Sequence, residues 1–278
     1  MTMDFHMHSS CSDGALAPSD VMARAAYHGA TVVALTDHDQ LAGLDEARAA
    51  AQALGMRFVN GVEISVTWRA ITLHIVGLNF DAQSPELVNG LQVMAQGRAQ
   101  RAQKIADQLA QAGVEDMFEA ALVHAGGRVD LLSRTHFARE LVARKKATSV
   151  RTVFQDYLVA GKPGYVSHEW CSLAQAVGWI TGAGGVAVFA HPGRCIHAHE
   201  GDELELLHEF VALGGRAIEV VTGSHSKNQY KKYTQIAQDF GLFASRGSDF
   251  HSSNESKMEA GKVPELPHGL IGVESLFD

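Results

Sequence analysis

Residues 4–14 read DFHMHSSCSDG, and the pattern around the two histidines decides the fold. The segment Met3 to His8 predicts a first strand, whose two-residue period turns the His6 and His8 rings to the same side, where they can share one metal. Asp13 follows in the loop, beside Gly14. The chain holds 15 histidines in 278 residues, so about one HxH is expected by chance, and a second does occur at His197 and His199. Following HPGR in an apparent loop, that second pair reads as surface histidines, and only context separates it from the first.

The context is a repeat of the same placement. Thr31 to Thr36 predicts a buried β-branched strand followed by His38; the strand Phe58 to Ile64 ends at Glu63; Ile71 to Leu78 carries His74. The strand Gly185 to Ala190 is capped by His191, and Leu242 to Ser245 is followed by Asp249 and His251. A further strand, Ala217 to Val221, and helices over Pro18 to Tyr27, Leu44 to Leu54, Ala174 to Ile180, Asp202 to Leu213 and Asn228 to Phe240 complete the alternation. The fold class is therefore α/β with mostly parallel strands. In barrels of alternating strands and helices the C-terminal strand ends form the face that holds catalytic groups.

Nine metal-capable side chains fall at or near such strand ends: His6, His8, Asp13, His38, Glu63, His74, His191, Asp249 and His251. Burying so many titratable groups at one barrel mouth without counter-charge is strongly unfavourable, and metal ions supply that charge. A catalytic zinc takes three protein ligands, so nine point to two or three divalent cations. Carboxylates mixed with imidazoles suit Mn2+, with Fe2+ or Zn2+ as alternatives, better than Mg2+ or Cu2+.

Composition narrows the remaining choices. With 46% apolar and 19% charged residues the chain is a globular protein rather than a disordered one. It lacks a basic leader and any apolar run near the 18 residues of a membrane span, which predicts a cytoplasmic protein without membrane attachment. Cys11, Cys171 and Cys195 have no CxxC spacing, so neither a disulfide framework nor a thiolate zinc site is indicated. The net charge of −8 disfavours a general nucleic-acid-binding surface. Gly182, Gly184 and Gly185 precede a strand, where a dinucleotide-binding loop must follow one.

Between residues 85 and 162 the alternation stops in favour of helical text, as in Leu91 to Ala112 and Thr135 to Ala143. Residues 1–84 and 163–278 are thus expected to form the barrel, and 85–162 a helical insert. From residue 128 to 162 eight Lys/Arg face three acids, which suits a basic cap that binds anions.

The series DFHMHSSCSDG, ALTDHD, GVEIS, LHIVG, FAHPGR and GSDFH resembles the PHP (polymerase and histidinol phosphatase) superfamily from first strand to last. The resemblance implies a distorted (β/α)7 barrel with a trinuclear centre. One metal would take His6, His8 and Asp249, a second His74 and His191 with Glu63 bridging the two, and a third Asp13, His38 and His251. The insert and its exit, LSRTHFAREL and AGKPGYVSHEWC, look like the bacterial subgroup of 3′,5′-nucleoside bisphosphate phosphatases and 5′→3′ exoribonucleases acting on short RNA. Cys195 departs from that subgroup, where an aromatic residue is expected after HPGR.

The activity so implied is hydrolysis of a phosphate monoester of a 3′,5′-bisphosphorylated nucleotide, such as adenosine 3′,5′-bisphosphate to AMP and phosphate. The nucleophile would be a hydroxide bridging two metals. The partner is then a small phosphorylated nucleotide, with short RNA oligonucleotides as the alternative; no protein partner is implied. Arg134, His136, Lys162 and Arg194 are the candidates for gripping a second phosphate. Other readings are a histidinol-phosphate-type phosphatase and a non-enzymatic accessory domain, the latter disfavoured by nine filled positions. Since a histidine must be neutral to bind metal, occupancy and rate should decline below about pH 6.

Overall fold

The inward-facing residues of each strand change character along their length, and that change places the site. In the computed structural model, which describes residues 2–195 and 201–277, seven strands form one sheet in chain order: β1 (Thr2–Asp4), β2 (Ala30–Leu35), β3 (Arg57–Trp68), β4 (Ile71–Leu78), β5 (Val186–Phe189), β6 (Ala217–Thr222) and β7 (Phe243–Gly247). The sheet curls on itself: Phe5 N–H donates to Arg246 O (3.1 Å), His8 N–H to Phe250 O (2.9 Å) and Asp249 N–H to His6 O (2.8 Å). The closest approach is at Gly247, where a Cβ would lie 2.2 Å from that of His6. The result is the expected distorted α/β barrel.

Alternate strand positions separate two apolar layers. Val32, Ala34, Val59, Val76, Leu78, Val186 and Val188 share an inner cluster floored by Phe277 and Val273. Their neighbours Val33, Leu35, Ile75, Ala187 and Phe189 pack outward against helical residues such as Val21, Ala47, Val177 and Phe210. Following the inner face upward, Val59 is succeeded in period by Gly61 and Glu63, and Ala217 by Glu219. Val76 is likewise succeeded by His74, read in the reverse chain direction.

That reversal corrects one expectation. β4 pairs antiparallel with both β3 and β5, whereas the other four pairings are parallel. The reason is local: Arg69 and Ala70 adopt left-handed φ values of 45° and 66° and turn β3 directly back into β4. Glu63 therefore lies within a longer β3 and not at its end, level with the rim through a bridge to His38. His74, opposite Ser65, reaches the same rim because its strand runs the other way. β1 is also shorter than Met3 to His8, since beyond Asp4 the segment shares its hydrogen bonds between Thr36 on one side and residues 246–250 on the other.

The helices α1 (Pro18–Tyr27), α2 (Leu44–Ala53), α7 (Leu173–Gly182), α8 (Asp202–Ala212) and α9 (Lys227–Asp239) lie around the barrel. Ser172 with Gln175 and Ser226 with Gln229 form capping boxes that fix where α7 and α9 begin. Between β4 and α7 come α3 (Pro85–Gln111), α4 (Met117–His124), α5 (Arg134–Ala143) and α6 (Val150–Val153). α3 starts six residues earlier than the predicted Leu91, with Pro85 in its first turn. Its Leu87, Leu91 and Met94 belong to the barrel's outer core, while Ile105 and Leu109 belong to a separate core with Met117, Phe137 and Leu141. α3 thus packs against the barrel along its first half and within the separate core along its second. Among the described residues no helix is long and apolar enough to cross a membrane. His197 and His199 lie outside the described residues.

Candidate metal centre

Glu63 occupies the middle of the rim. Its Oε1 lies 2.7 Å from His74 Nδ1 and 2.8 Å from His191 Nε2, and its Oε2 lies 3.1 Å from His38 Nδ1 and 3.3 Å from Nε2 of both His6 and His8. Asp249 Oδ1 faces His8 Nε2 at 3.5 Å and His6 Nε2 at 3.7 Å. Asp13 Oδ1 faces His251 Nε2 at 3.3 Å and His38 Nε2 at 3.9 Å. All nine side chains picked from the sequence thus converge. They fall into overlapping groups able to hold a cation: His6 with His8 and Asp249; His8 with Asp13, His38 and His251; His38 with Glu63 and His74; and His6 with Glu63 and His191.

The donor chemistry fits divalent cations. Glu63 Oε2, Asp13 Oδ1 and Asp249 Oδ1 are buried, point into the cluster and have no hydrogen-bond partner among the described residues. Buried carboxylate lone pairs without donors are costly unless a positive charge meets them. Burial pushes these three acids up, but the facing imidazoles at Asp13 and Glu63, and the Arg194 charge followed by the imidazoles at Asp249, outweigh it and hold each well below the usual carboxylate range. Burial likewise opposes the charged form of His8, yet Asp249 and Glu63 raise it to about 9. His6 is also raised, against its burial, by Glu219 and Glu63. Burial and the Arg194 charge instead lower His191 to about 4.

Groups raised this way are protonated near neutrality and must lose those protons to bind metal, so affinity rises with pH and weakens already below about 9 at His8. Adding Mn2+ to metal-free protein at pH 7.5 in weak buffer should therefore release protons, read with an indicator dye. Metal uptake without acidification would show that His6 and His8 are not where the metal goes.

Behind the cluster stands a set of carboxylates that the sequence reading did not single out. Glu219, 1% exposed, accepts from His6 Nδ1 (2.7 Å) and from the backbone N–H of His191 (2.6 Å). It fixes the ring of one histidine and the backbone of another, whose φ of 26° is left-handed. Asp4 accepts from the Ser248 and Gly261 N–H groups and so ties the β7 loop to β1. Asp37 accepts from Ser9 and Ser12, holding the loop that carries Asp13. Asp39 accepts from Ser65 and pairs with Arg98. The available signal was acids interrupting apolar or metal-ligand text, as Glu219 does in AIEVVT.

The cap reaches the rim through α5. Ser133 Oγ donates to Asp13 (3.1 Å), and Arg139 bonds Asp13 O (2.7 Å) and Glu255 (2.7 Å). Over the cluster lies a pocket of about 90 Å³ whose wall includes Arg98, Arg101, Arg134, Arg194 and Trp170. Arg194 donates to Asp249 Oδ2 (2.8 Å). Arg101 and Arg134 have no ion-pair partner among the described residues; Arg101 lies over the Trp170 ring and Arg134 over Phe154. Burial, together with the charges of Arg134 and Arg98, pulls Arg101 down to about 9, the mark of a cation short of an anion.

Two of the four expected phosphate contacts are placed elsewhere. His136 is buried with its Nδ1 accepting from Ser133 N–H (3.0 Å), so it caps α5, and burial lowers it to about 4. Lys162 is exposed and lines neither this pocket nor the groove beside it. Arg98 and Arg101 were missed although they continue the Leu91, Met94, Ile105 stripe of α3 at spacings of three and four, where a charged residue is out of place. The groove, of about 630 Å³, opens between the cap and the loops after β6 and β7, and shares Thr135, Phe154, Arg194 and His251 with the pocket.

Residues 4–163 match the PHP domain family model. The chain is 48% identical over 265 residues, covering 95% of it and 92% of the relative, to a 3′,5′-nucleoside bisphosphate phosphatase of Chromobacterium violaceum. It is 39% identical to a 5′-3′ exoribonuclease of Haemophilus influenzae, covering 99% of the chain and 98% of that protein. A solved amidohydrolase structure from Chromobacterium violaceum, with bound sulfate, superposes at a TM-score of 0.95 with 45% identity, covering 99% of this chain and 96% of that one. With a rim that gathers nine imidazoles and carboxylates on an α/β barrel, and with relatives matched over nearly its whole length, the chain belongs to the PHP domain family.

Proposed function

We propose that this protein is a metal-dependent phosphatase that removes a phosphate from a nucleotide carrying both 3′ and 5′ phosphates. The observation that carries the reading is the pair of guanidinium groups without an ion-pair partner among the described residues, Arg101 and Arg134, opposite the carboxylate and imidazole cluster in one small pocket. A monoester at the cluster leaves these cations for a second phosphate, which a guanidinium can grip through two parallel hydrogen bonds. The bisphosphate phosphatase relative supports the same substrate class. Residues 85–162 act in this reading as the cap that brings the arginines over the barrel mouth.

We assign the nine rim residues as ligands of two or three divalent ions, with Mn2+ preferred to Fe2+ or Zn2+ for a mixed oxygen and nitrogen donor set. Such ions, when bound, supply positive charge to the phosphoryl oxygens and acidify water. The chain's own groups do the rest. Arg101 and Arg134 orient the substrate, Arg194 stands between Asp249 and the pocket, and Glu219 keeps His6 in the tautomer that presents Nε2. Trp170 supports Arg98 and Arg101 through its ring face. Free Cys11, Cys171 and Cys195 suit a cytoplasmic setting.

Arg101→Gln tests the reading. Losing one charge-assisted contact of about 1.5–3 kcal/mol should lower kcat/KM for a nucleoside 3′,5′-bisphosphate by roughly 10- to 150-fold, with little change for an aryl phosphate. Equal losses on both substrates would remove the second-phosphate role. A 5′→3′ exoribonuclease is the second reading, favoured by the groove that leaves the pocket open on one side. Comparing turnover of the bisphosphate with that of a 5′-phosphorylated trinucleotide separates the two.

A further inference from the structure

We propose that the groove between the cap and the β6 and β7 loops seats the nucleoside of the substrate, and that Phe154 is the platform on which its base stacks. This rests on the reading that the substrate is a nucleotide, and it adds where the part that does not react is held. Size is the first argument. Pockets that enclose a drug-sized ligand run to about 300–1,000 Å³. The space over the cluster, about 90 Å³, is taken up by the phosphate-bearing end of the substrate and leaves no room for a base, while the adjoining groove offers about 630 Å³.

Continuity is the second. Phe154 lines both spaces, whereas Arg134, which lies over its ring at 5.4 Å, lines only the smaller one. A ligand passing from pocket to groove runs between this ring and the other side chains that line both, Thr135, Arg194 and His251. Phe154 also opens a single π-helical turn, Phe154–Leu158, a local irregularity found often at functional sites. The third argument is charge. Arg151 and Lys257 line the groove and have no ion-pair partner among the described residues, so its wall offers cations as well as an aromatic face, the combination that holds single-stranded nucleic acid without base selectivity.

The test is equilibrium binding by calorimetry to the metal-loaded protein, using adenosine 5′-monophosphate, its abasic ribose counterpart and inorganic phosphate as probes. Wild type should bind the nucleotide at least tenfold more tightly than the abasic compound. Base stacking on an aromatic contributes about 1–3 kcal/mol, so Phe154→Leu should weaken nucleotide binding about 5- to 150-fold. The same variant should weaken inorganic phosphate binding far less, even though Arg134 lies over this ring, a difference that also reports that the fold is intact, and Phe154→Tyr should restore the affinity. Wild type binding the nucleotide no better than the abasic compound would overturn the proposal, as would Phe154→Leu weakening all three probes alike. If nucleotide binding depends on Phe154 while no bisphosphate is hydrolysed, the groove assignment stands and the proposed activity falls.

Discussion

Glu63→Gln is expected to cost roughly a thousandfold or more in kcat and to reduce the number of metal ions retained. One carboxylate here faces five imidazoles, at 2.7–3.3 Å, and among the described residues no other acid pairs with the ring of His74 or His191. Glutamine has nearly the same shape, so the comparison isolates charge. With the anion gone, cations held against these rings would repel one another with less compensation, and several kcal/mol of electrostatic stabilisation correspond to at least three decades in rate at about 1.4 kcal/mol per decade. Elemental analysis after dialysis should show fewer ions per chain than wild type. A variant that keeps the wild-type metal content and turns over normally would remove Glu63 from the centre of the site.

Glu219→Gln should produce the next largest effect, through metal affinity. The amide can accept from His6 or from the His191 backbone, but its nitrogen then meets a donor where an acceptor is required. Loss of a carboxylate behind a ligating histidine typically lowers metal affinity 10- to 100-fold. Competition against a chelating dye reads that loss directly, and excess metal should restore much of the activity, as it would not if the substitution merely unfolded the chain. Unchanged affinity would make Glu219 a packing residue of β6.

The sequence displays the rim clearly because its imidazoles and carboxylates sit next to strands whose period is visible. DFHMH, ALTDHD and GSDFH each carry the metal-capable side chain within a few residues of an apolar run. It was silent on what depends on pairing direction. The reversal of β4 hangs on two residues, Arg69 and Ala70, whose left-handed backbone neither side chain favours. It misled on His136, since a histidine in a basic, phosphate-suited stretch looks the same whether it meets a ligand or caps its own helix. Arg98 and Arg101 lay outside the segment with the visible excess of positive charge, so their convergence with Arg134 emerged only in three dimensions.

The antiparallel β4 also determines where the roof over the barrel mouth is anchored. Ending at the floor of the barrel, it obliges the chain to climb back, and α3 does so in 27 residues, about 40 Å of continuous helix. The lower half of that helix is embedded in the barrel's outer layer and the upper half in the roof. One continuous helix thus serves two cores, so the outer wall of the barrel and the roof over its mouth share a single backbone support.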